Sequence, residues 1–187
     1  GLIGKILQAK ETAGIVVTKA PFAVQRAVKD SGLPAVVHGS LYPSIEGLAW
    51  VDQDNVRIAQ LIAAYALGHA CTHVCALTRE VMFAGDNVVL GELGRLLGRA
   101  GFKAGAYSIC HLPEDSHSIQ LAVRELIREH PTGLCLLGRS ELKAAAASAA
   151  IASLGLKGRR RPLVVLSGLY RRPNSDNTFP YIFPTIK

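Results

Sequence analysis

Residues 72–102 constrain the fold more than any other stretch of the chain. They begin with the apolar run VCAL at residues 74–77, which is typical of a strand buried on both faces. After a polar loop, a helix opens near Asn87, and its apolar side chains recur at helical spacing: Val89, Leu93, Leu97 and Ala100. Gly101 then ends the helix in the manner of a C′ residue. Strand, loop and amphipathic helix make half of a parallel βαβ unit, so this stretch predicts an α/β protein.

The same alternation continues along the chain. Further strands are predicted at residues 15–18, 35–37, 48–52, 104–110, 134–137 and 162–167. The helices between them are expected to be capped at Ser116 and Ser140 in the second half of the chain. Strands that alternate with helices of about 12 residues imply parallel sheets with helices on both faces. Ligands of such sheets bind beyond the carboxyl ends of the strands, so the loop at residues 79–87 is the first candidate binding segment.

Composition narrows the class of protein further. A chain of 187 residues with 49% hydrophobic content suits one large α/β domain or two small lobes, and it excludes a largely disordered protein. No apolar run approaches the roughly 18 residues of a membrane span, and no basic, hydrophobic signal peptide opens the sequence. The four cysteines fit a reducing compartment. The sequence therefore predicts a soluble, cytoplasmic protein without a membrane partner.

The net charge of +7 is scattered, except for two basic runs at residues 157–161 and 171–172. Such runs can hold nucleic-acid phosphates. No aromatic residues interleave them, as a platform for single strands would need, and both flank a predicted strand. A solvated turn is the favoured interpretation, and phosphate binding is the alternative.

An HxCxHxC pattern at residues 69–75 invites a zinc assignment. Alternate residues of a strand project from one face about 7 Å apart, whereas four zinc ligands must lie within about 2.3 Å of one ion. A straight strand cannot meet that requirement, so the sequence predicts no metal site. By the same rise per residue, Cys71 and Cys75 lie about 13 Å apart, which is too far for a disulfide.

Three glycines, Gly91, Gly94 and Gly98, fall inside the predicted helix of residues 87–100. A dinucleotide-binding loop needs its glycines between strand and helix, so close packing of this helix on the sheet explains them better. The chain also lacks a GxSxG elbow and a P-loop. Without a nucleophile, base or cofactor loop, the prediction is a protein that is not an enzyme and binds no cofactor.

Seven segments occur in a particular order along nearly the whole chain: TAGIVVT (12–18), VDQDN (51–55), LGH (67–69), the helix at 87–102, PTGLCLLGRSEL (131–142), PLVVLS (162–167) and FPTI (183–186). In that order they resemble segments of the effector-binding domain of the lac-repressor/gal-repressor (LacI) family of bacterial regulators. Among the family's counterparts are the "VDGIILT" strand, the "VVVDN" segment and the "PTAIFCANDEMA" segment. The resemblance implies a two-lobed, parallel-sheet, periplasmic-binding-protein-like type I fold.

The resemblance also implies which parts are missing. Family members begin with a DNA-binding helix-turn-helix and the first elements of the N-terminal lobe, and none of these precedes Leu2. The expected organisation is a partial N-terminal lobe (1–53 plus 180–187) and a C-terminal lobe (54–179). Residues 181–186 are expected to pair beside the strand at 14–18. DNA is then a partner only through a domain absent from this sequence, and the complete protein is expected to be a homodimer.

Several ligand-contacting positions depart from the family's pattern. The family's helix arginine is Val88 here, its Asn-Asp pair is Arg139-Ser140, and its acid after the ninth strand is Gly168, whereas Asp54 is retained. The expected ligand-binding residues are Lys19, Asp54, Arg79, Asp86, Asn87, Arg139, Ser140 and Gly168. Because Arg139 is gained near a helix N-terminus, an anionic effector such as a sugar phosphate or sugar acid is favoured over a neutral sugar. In the alternative, Arg79 and Arg139 point to solvent or pair with Asp54 and Asp86.

The expected function is that of an effector-sensing domain of a transcriptional regulator, commonly a repressor. A small sugar-like ligand would bind between the two lobes and alter the DNA binding of the missing helix-turn-helix. A periplasmic solute-binding protein of an uptake transporter shares this fold and is the alternative. A signal sequence in the parent gene would favour the transporter, and an upstream helix-turn-helix would favour the regulator.

Overall fold

A computed structural model describes residues 4–6, 9, 12–167 and 180–182. The chain divides into two compact units, Gly1–Asn55 with Met82–Val89, and Val56–Val81 with Leu90–Lys187. Each unit is built on its own parallel sheet. Within the described residues, no helix combines the length and apolarity needed to cross a bilayer.

The first unit contains a three-stranded sheet in the order β1-β2-β3, formed by β1 (Ile15–Thr18), β2 (Ala35–His38) and β3 (Ala49–Val51). Helix α1 (Phe22–Asp30) joins β1 to β2, as a parallel connection requires. On the other face of the sheet, Val16 is 74% exposed and its register partner Val36 is 39% exposed. A parallel sheet normally carries helices on both faces, so this is the sheet of an incomplete lobe.

The second unit contains a five-stranded parallel sheet in the order β5-β4-β6-β7-β8. Its strands are β4 (His73–Thr78), β5 (Tyr107–His111), β6 (Leu134–Gly138), β7 (Leu163–Ser167) and β8 (Tyr181–Ile182). The remaining helices are α2 (Asn55–Gly68), α3 (Ala84–Arg99), α4 (Ser116–Glu129) and α5 (Glu141–Ser153), and a 3₁₀ turn spans Gly158–Arg160. The core between the sheet, α4 and α5 is aliphatic, with Leu136, Ile119 and Ala147 fully buried. Every predicted strand is present, with shifts of a few residues at its ends.

The structure confirms two of the predicted helix ends and corrects two others. Gly101 has a φ of +89°, and the N–H of Phe102 donates to Leu97 O at 3.1 Å, which is a Schellman end. Ser140 caps α5, because its Oγ accepts from Lys143 N. Asp115 rather than Ser116 caps α4, since its carboxylate accepts two backbone N–H bonds and is a stronger acceptor than a hydroxyl. Helix α3 begins at Ala84, ahead of the predicted opening near Asn87.

The predicted pairing of residues 181–186 beside the first strand is wrong for Tyr181 and Ile182. These two residues pair in parallel with Leu166 and Ser167, and Leu166 N donates to Pro180 O at 2.9 Å. Both β1 and β7 offer a sheet edge with unpaired backbone groups, and Tyr181 and Ile182 use the edge of β7 in the second unit. Residues 183–186 lie outside the described part.

The three helix glycines divide into two kinds. A Cβ at Gly94 would lie 2.9 Å from the Tyr107 ring, so the close packing predicted for it is confirmed. Burial raises the pKa of Tyr107 far above its usual value, which keeps its hydroxyl protonated as the donor to Leu90 O at 2.9 Å. The packing explanation is wrong for Gly91 and Gly98, because nothing lies within 4 Å of a Cβ at either position.

Candidate functional site

Polar side chains gather at the carboxyl edge of the five-stranded sheet. Arg139 follows β6, Ser167 ends β7, and these two strands are neighbours. Arg139 Nη1 donates to Ser167 Oγ at 2.9 Å and to Ser167 O at 3.3 Å, and Arg139 is only 8% exposed. Burying a guanidinium is costly unless hydrogen bonds satisfy it. The edge of this sheet therefore holds a buried, oriented cation at the place where α/β folds bind ligands.

A second buried cation stands in the first turn of α5. The Lys143 side chain is 1% exposed, and its Nζ forms an ion pair with Glu114 Oε1 at 2.5 Å. Glu114 comes from the loop between β5 and α4 and is half exposed. Sequence reasoning missed Lys143 because it adjoins an alanine run that indicates only helix propensity. The signal available in the sequence was a single lysine on the side of the helix that is otherwise apolar and therefore predicted to be buried.

Hydrogen bonds connect the loop after β4 to the end of β5, at the carboxyl edge of the five-stranded sheet. His111 Nδ1 lies 3.0 Å from Thr78 Oγ1 and 3.1 Å from Arg79 O. A carbonyl oxygen only accepts hydrogen bonds, so Nδ1 carries the proton when it bonds Arg79 O. These contacts hold the backbone at Arg79 close to the end of β5. Arg79 is half-buried.

The first unit has a compact polar cluster of its own, formed by Ser40, Asp52 and Asn55. The hydroxyl of Ser40 donates to Asp52 Oδ2 at 2.6 Å, and Asn55 Nδ2 donates to the same oxygen at 2.7 Å. The backbone N–H of Gln53 donates to Asp52 Oδ1 at 2.8 Å. A Cβ at Gly85 would lie 3.1 Å from both Asp52 Oδ2 and Asn55 Nδ2, so the first turn of α3 packs directly on this cluster. The cluster joins β2, β3 and two helix starts within one unit.

The predicted site residues lie at several places. Ser140 adjoins Arg139 at the end of β6, and Arg79 follows β4 in the same unit. In the first unit, Lys19 follows β1 with a φ of +48°, and Asp86 is 7% exposed in the first turn of α3. Asp54 and Asn87 are exposed. Gly168 lies outside the described residues.

The cluster around Asp52 was missed because sequence reasoning selected its neighbour Asp54 by resemblance. The DxxN spacing of Asp52 and Asn55 at a helix start was the local signal. The contribution of Ser40, 12 residues upstream, depends on the pairing of β2 with β3 and has no local signature.

The histidine and cysteine run before and within β4 has structural contacts. Burial raises the pKa of Cys75 to about 11, so its thiol stays protonated and unreactive. The ring of His73 stacks on His130 with centroids 3.9 Å apart, and burial, with the nearby charge of His130, lowers the pKa of His73. In the described part of the chain, no group of three or more His, Cys, Asp or Glu residues could hold a metal ion.

Replacing Asp52 with asparagine should lower the free energy of unfolding by about 2 kcal/mol, because the amide loses the charge that three donors share. Asp30→Asn is the matched control, since the Asp30 carboxylate is 65% exposed and meets Arg26 at 3.8 Å. That exposed pair should contribute less than about 0.5 kcal/mol. Urea denaturation of both variants measures the difference. Equal effects would contradict a structural role for the Asp52 carboxylate.

Solved structures identify the fold. The chain matches a putative LacI transcriptional regulator from Bacillus cereus subsp. cytotoxis with a TM-score of 0.75 and 17% identity over 90% of this chain and 60% of that one. It matches a probable maltose operon transcriptional repressor from Staphylococcus aureus with a TM-score of 0.73 and 11% identity over 89% and 60%. A sugar transporter structure from Clostridium phytofermentans matches with a TM-score of 0.71 and 16% identity over 89% and 62%.

The chain thus spans about 60% of the length of the first two of these structures. No protein-family model and no curated protein sequence matches it. The likeness in structure establishes the architecture that the seven segments predicted. This chain has the periplasmic-binding-protein-like type I fold with an incomplete N-terminal lobe, and LacI-family regulators are among its structural neighbours.

Proposed function

We propose that this chain is the effector-sensing domain of a bacterial transcriptional regulator. The observation that carries the proposal is the buried Arg139, which is held by Ser167 at the carboxyl ends of two adjacent parallel strands. Strand ends of this kind are where α/β folds bind small ligands. The solved structures of the same fold include a probable maltose operon repressor and a LacI regulator.

The proposed effector is a small, sugar-like anion. Arg139 and Arg79 supply cationic groups at the edge of the second sheet, and Ser140 begins helix α5 there, whose N-terminal end adds partial positive charge. A guanidinium presents several N–H donors in a planar fork that matches a phosphate or carboxylate. Lys19, Asp54, Asp86 and Asn87 are the other candidate effector contacts, and the carboxylates of Asp54 and Asp86 can accept hydrogen bonds from sugar hydroxyls.

The proposed mechanism is a shift between two populations. A ligand that binds one arrangement of the protein more tightly raises the population of that arrangement. In a homodimer with DNA-binding domains, such a shift changes the spacing of the two recognition helices, which must match the spacing of operator half-sites. The dimer, the DNA-binding segment and a cytoplasmic location are parts of this proposal.

A solute-binding component of a sugar uptake system is the second candidate. The similarity to a sugar transporter structure favours it. The two candidates differ in what should precede this segment in the gene, because a regulator needs a helix-turn-helix and an exported binding protein needs a signal peptide. Sequencing the gene upstream of Gly1 distinguishes them.

Calorimetric titration with matched sugars, sugar phosphates and sugar acids tests the effector. An anionic sugar should bind more tightly than its neutral counterpart, and Arg139→Ala should weaken its binding by about tenfold or more, because a charge-assisted contact is lost. Arg128→Ala is the control, since Arg128 is exposed on α4 and pairs with Glu125. Circular dichroism confirms that the variants fold. Tight binding of a neutral sugar, unchanged by Arg139→Ala, would refute the anionic effector.

A further inference from the structure

We propose a second anion-binding site, at the opposite end of the second sheet from Arg139. A cavity of about 300 Å³ lies at the amino ends of β4, β6 and β7. Its polar lining comes from His69, Thr72, Thr132, Arg159 and Arg161. The site would take a small phosphate anion that carries more than one negative charge, such as a phosphate monoester or a pyrophosphate. It is independent of the effector site proposed above, since the two share no residue.

Three turns line the cavity, and backbone hydrogen bonds hold two of them together, the turn before β4 and the turn before β6. The N–H groups of Thr72 and His73 both donate to Gly133 O, at 2.8 and 3.1 Å. Gly133 has a φ of +69°, and a Cβ there would lie 2.6 Å from Thr72 Oγ1, so only glycine lets the turn before β6 approach the turn before β4 this closely. Thr72 and Thr132 thereby line one concave surface, and the hydroxyl oxygen of Thr72 also lies 3.1 Å from His73 Nδ1.

The rim of the cavity at His69 is also held in place. His69 Nδ1 lies 2.8 Å from Tyr65 O, and its ring lies 4.1 Å, centroid to centroid, from the ring of Tyr65. Because Nδ1 donates to a carbonyl oxygen, Nε2 of the neutral ring would accept from a protonated phosphate oxygen, and Nε2 of the protonated ring would donate to an ionised one. A preformed wall reduces the ordering cost of binding.

The third wall carries charge. Arg159 lies in the 3₁₀ turn that begins at Gly158, whose φ is +59°, and Arg161 directly follows that turn. Both residues are exposed, and neither forms an ion pair with a carboxylate of the described residues. The described lining contains no acidic side chain. Two positive charges therefore stand at one cavity, and an anion bound there would be attracted to both of them.

The cavity's size and lining favour a small ligand over a nucleic-acid backbone. Its volume is at the lower end of the range for small-molecule pockets. Guanidinium forks and hydroxyl donors are the groups that bind phosphate oxygens. A nucleic-acid backbone would instead use the whole basic run, including Arg160, which stands between the two arginines but does not line the cavity.

Arg160 is therefore a matched control for a test with inorganic pyrophosphate. The full chain would be titrated by calorimetry in a buffer without phosphate, with the ionic strength held constant by sodium chloride. Arg159→Gln and Arg161→Gln should each weaken pyrophosphate binding by about tenfold. Arg160→Gln removes the same charge from the same turn and should change the dissociation constant less than about twofold.

A second measurement locates the ligand. In nuclear magnetic resonance spectra, the ring signals of His69 should shift with pyrophosphate, and those of His117 on α4 should not. Three results would overturn the proposal: no pyrophosphate binding to the unsubstituted chain, equal losses in all three arginine variants, or displacement of pyrophosphate by a 20-base-pair DNA duplex that depends equally on Arg160. The last two results would indicate a diffuse basic surface or a nucleic-acid site.

Discussion

Replacing Gly138 with alanine is expected to lower the free energy of unfolding by about 3 kcal/mol. A Cβ at this position would lie 2.8 Å from both the backbone N and the Cβ of Ala144, in the first turn of α5. Its φ lies outside the left-handed region, so the cost comes from the clash alone. Because the clash involves backbone, no side-chain rotation can remove it, and α5 must move away from the end of β6. Thermal and urea unfolding measure the loss.

Gly91→Ala is the control for this substitution. Gly91 is exposed inside α3, and nothing lies within 4 Å of a Cβ there. Alanine loses less backbone entropy than glycine when a helix forms, so this change should raise stability by about 0.5–1 kcal/mol. If Gly138→Ala is as harmless as Gly91→Ala, then α5 does not pack on the end of β6 as closely as these distances indicate.

The sequence predicted the features that depend on nearby residues. The apolar run at residues 74–77 predicted β4, because a strand buried on both faces must be apolar along its whole length. Gly101 and Ser140 predicted a helix end and a helix start, because the groups that they satisfy lie within a few residues. The order of these elements was enough to predict parallel sheets and an α/β fold.

Contacts between distant segments escaped prediction for a physical reason. Whether residues 181–182 extend one sheet or the other depends on which strand edge is nearer in space, and both edges offer equivalent backbone groups. The Ser40–Asp52 hydrogen bond and the Lys143–Glu114 pair join residues that are 12 and 29 positions apart in the sequence. Neither residue of such a pair indicates the other in the sequence, so these contacts could not be predicted from it.

The Lys143–Glu114 pair predicts an asymmetry between its two partners. Lys143 is 1% exposed at its side chain and Glu114 is 53% exposed. Removal of the glutamate charge leaves a buried ammonium without its ion-pair partner, whereas removal of the lysine charge returns Glu114 to water. Breaking a fully buried pair costs about 3–5 kcal/mol, and the exposure of Glu114 reduces the expected cost because water screens part of the interaction.

Glu114→Gln should therefore lower the free energy of unfolding by about 2–3 kcal/mol. Lys143→Met should change it by less than about 1 kcal/mol, because methionine fills similar volume without a charge to desolvate. The double variant should resemble Lys143→Met, since the glutamine no longer faces a buried cation.

Glu125→Gln controls for surface charge, as Glu125 and its partner Arg128 are 62% and 71% exposed. Urea denaturation of the four variants measures these differences. Equal losses in Glu114→Gln and Lys143→Met would mean that the pair acts as an ordinary surface salt bridge, and the burial of Lys143 would then have no energetic consequence.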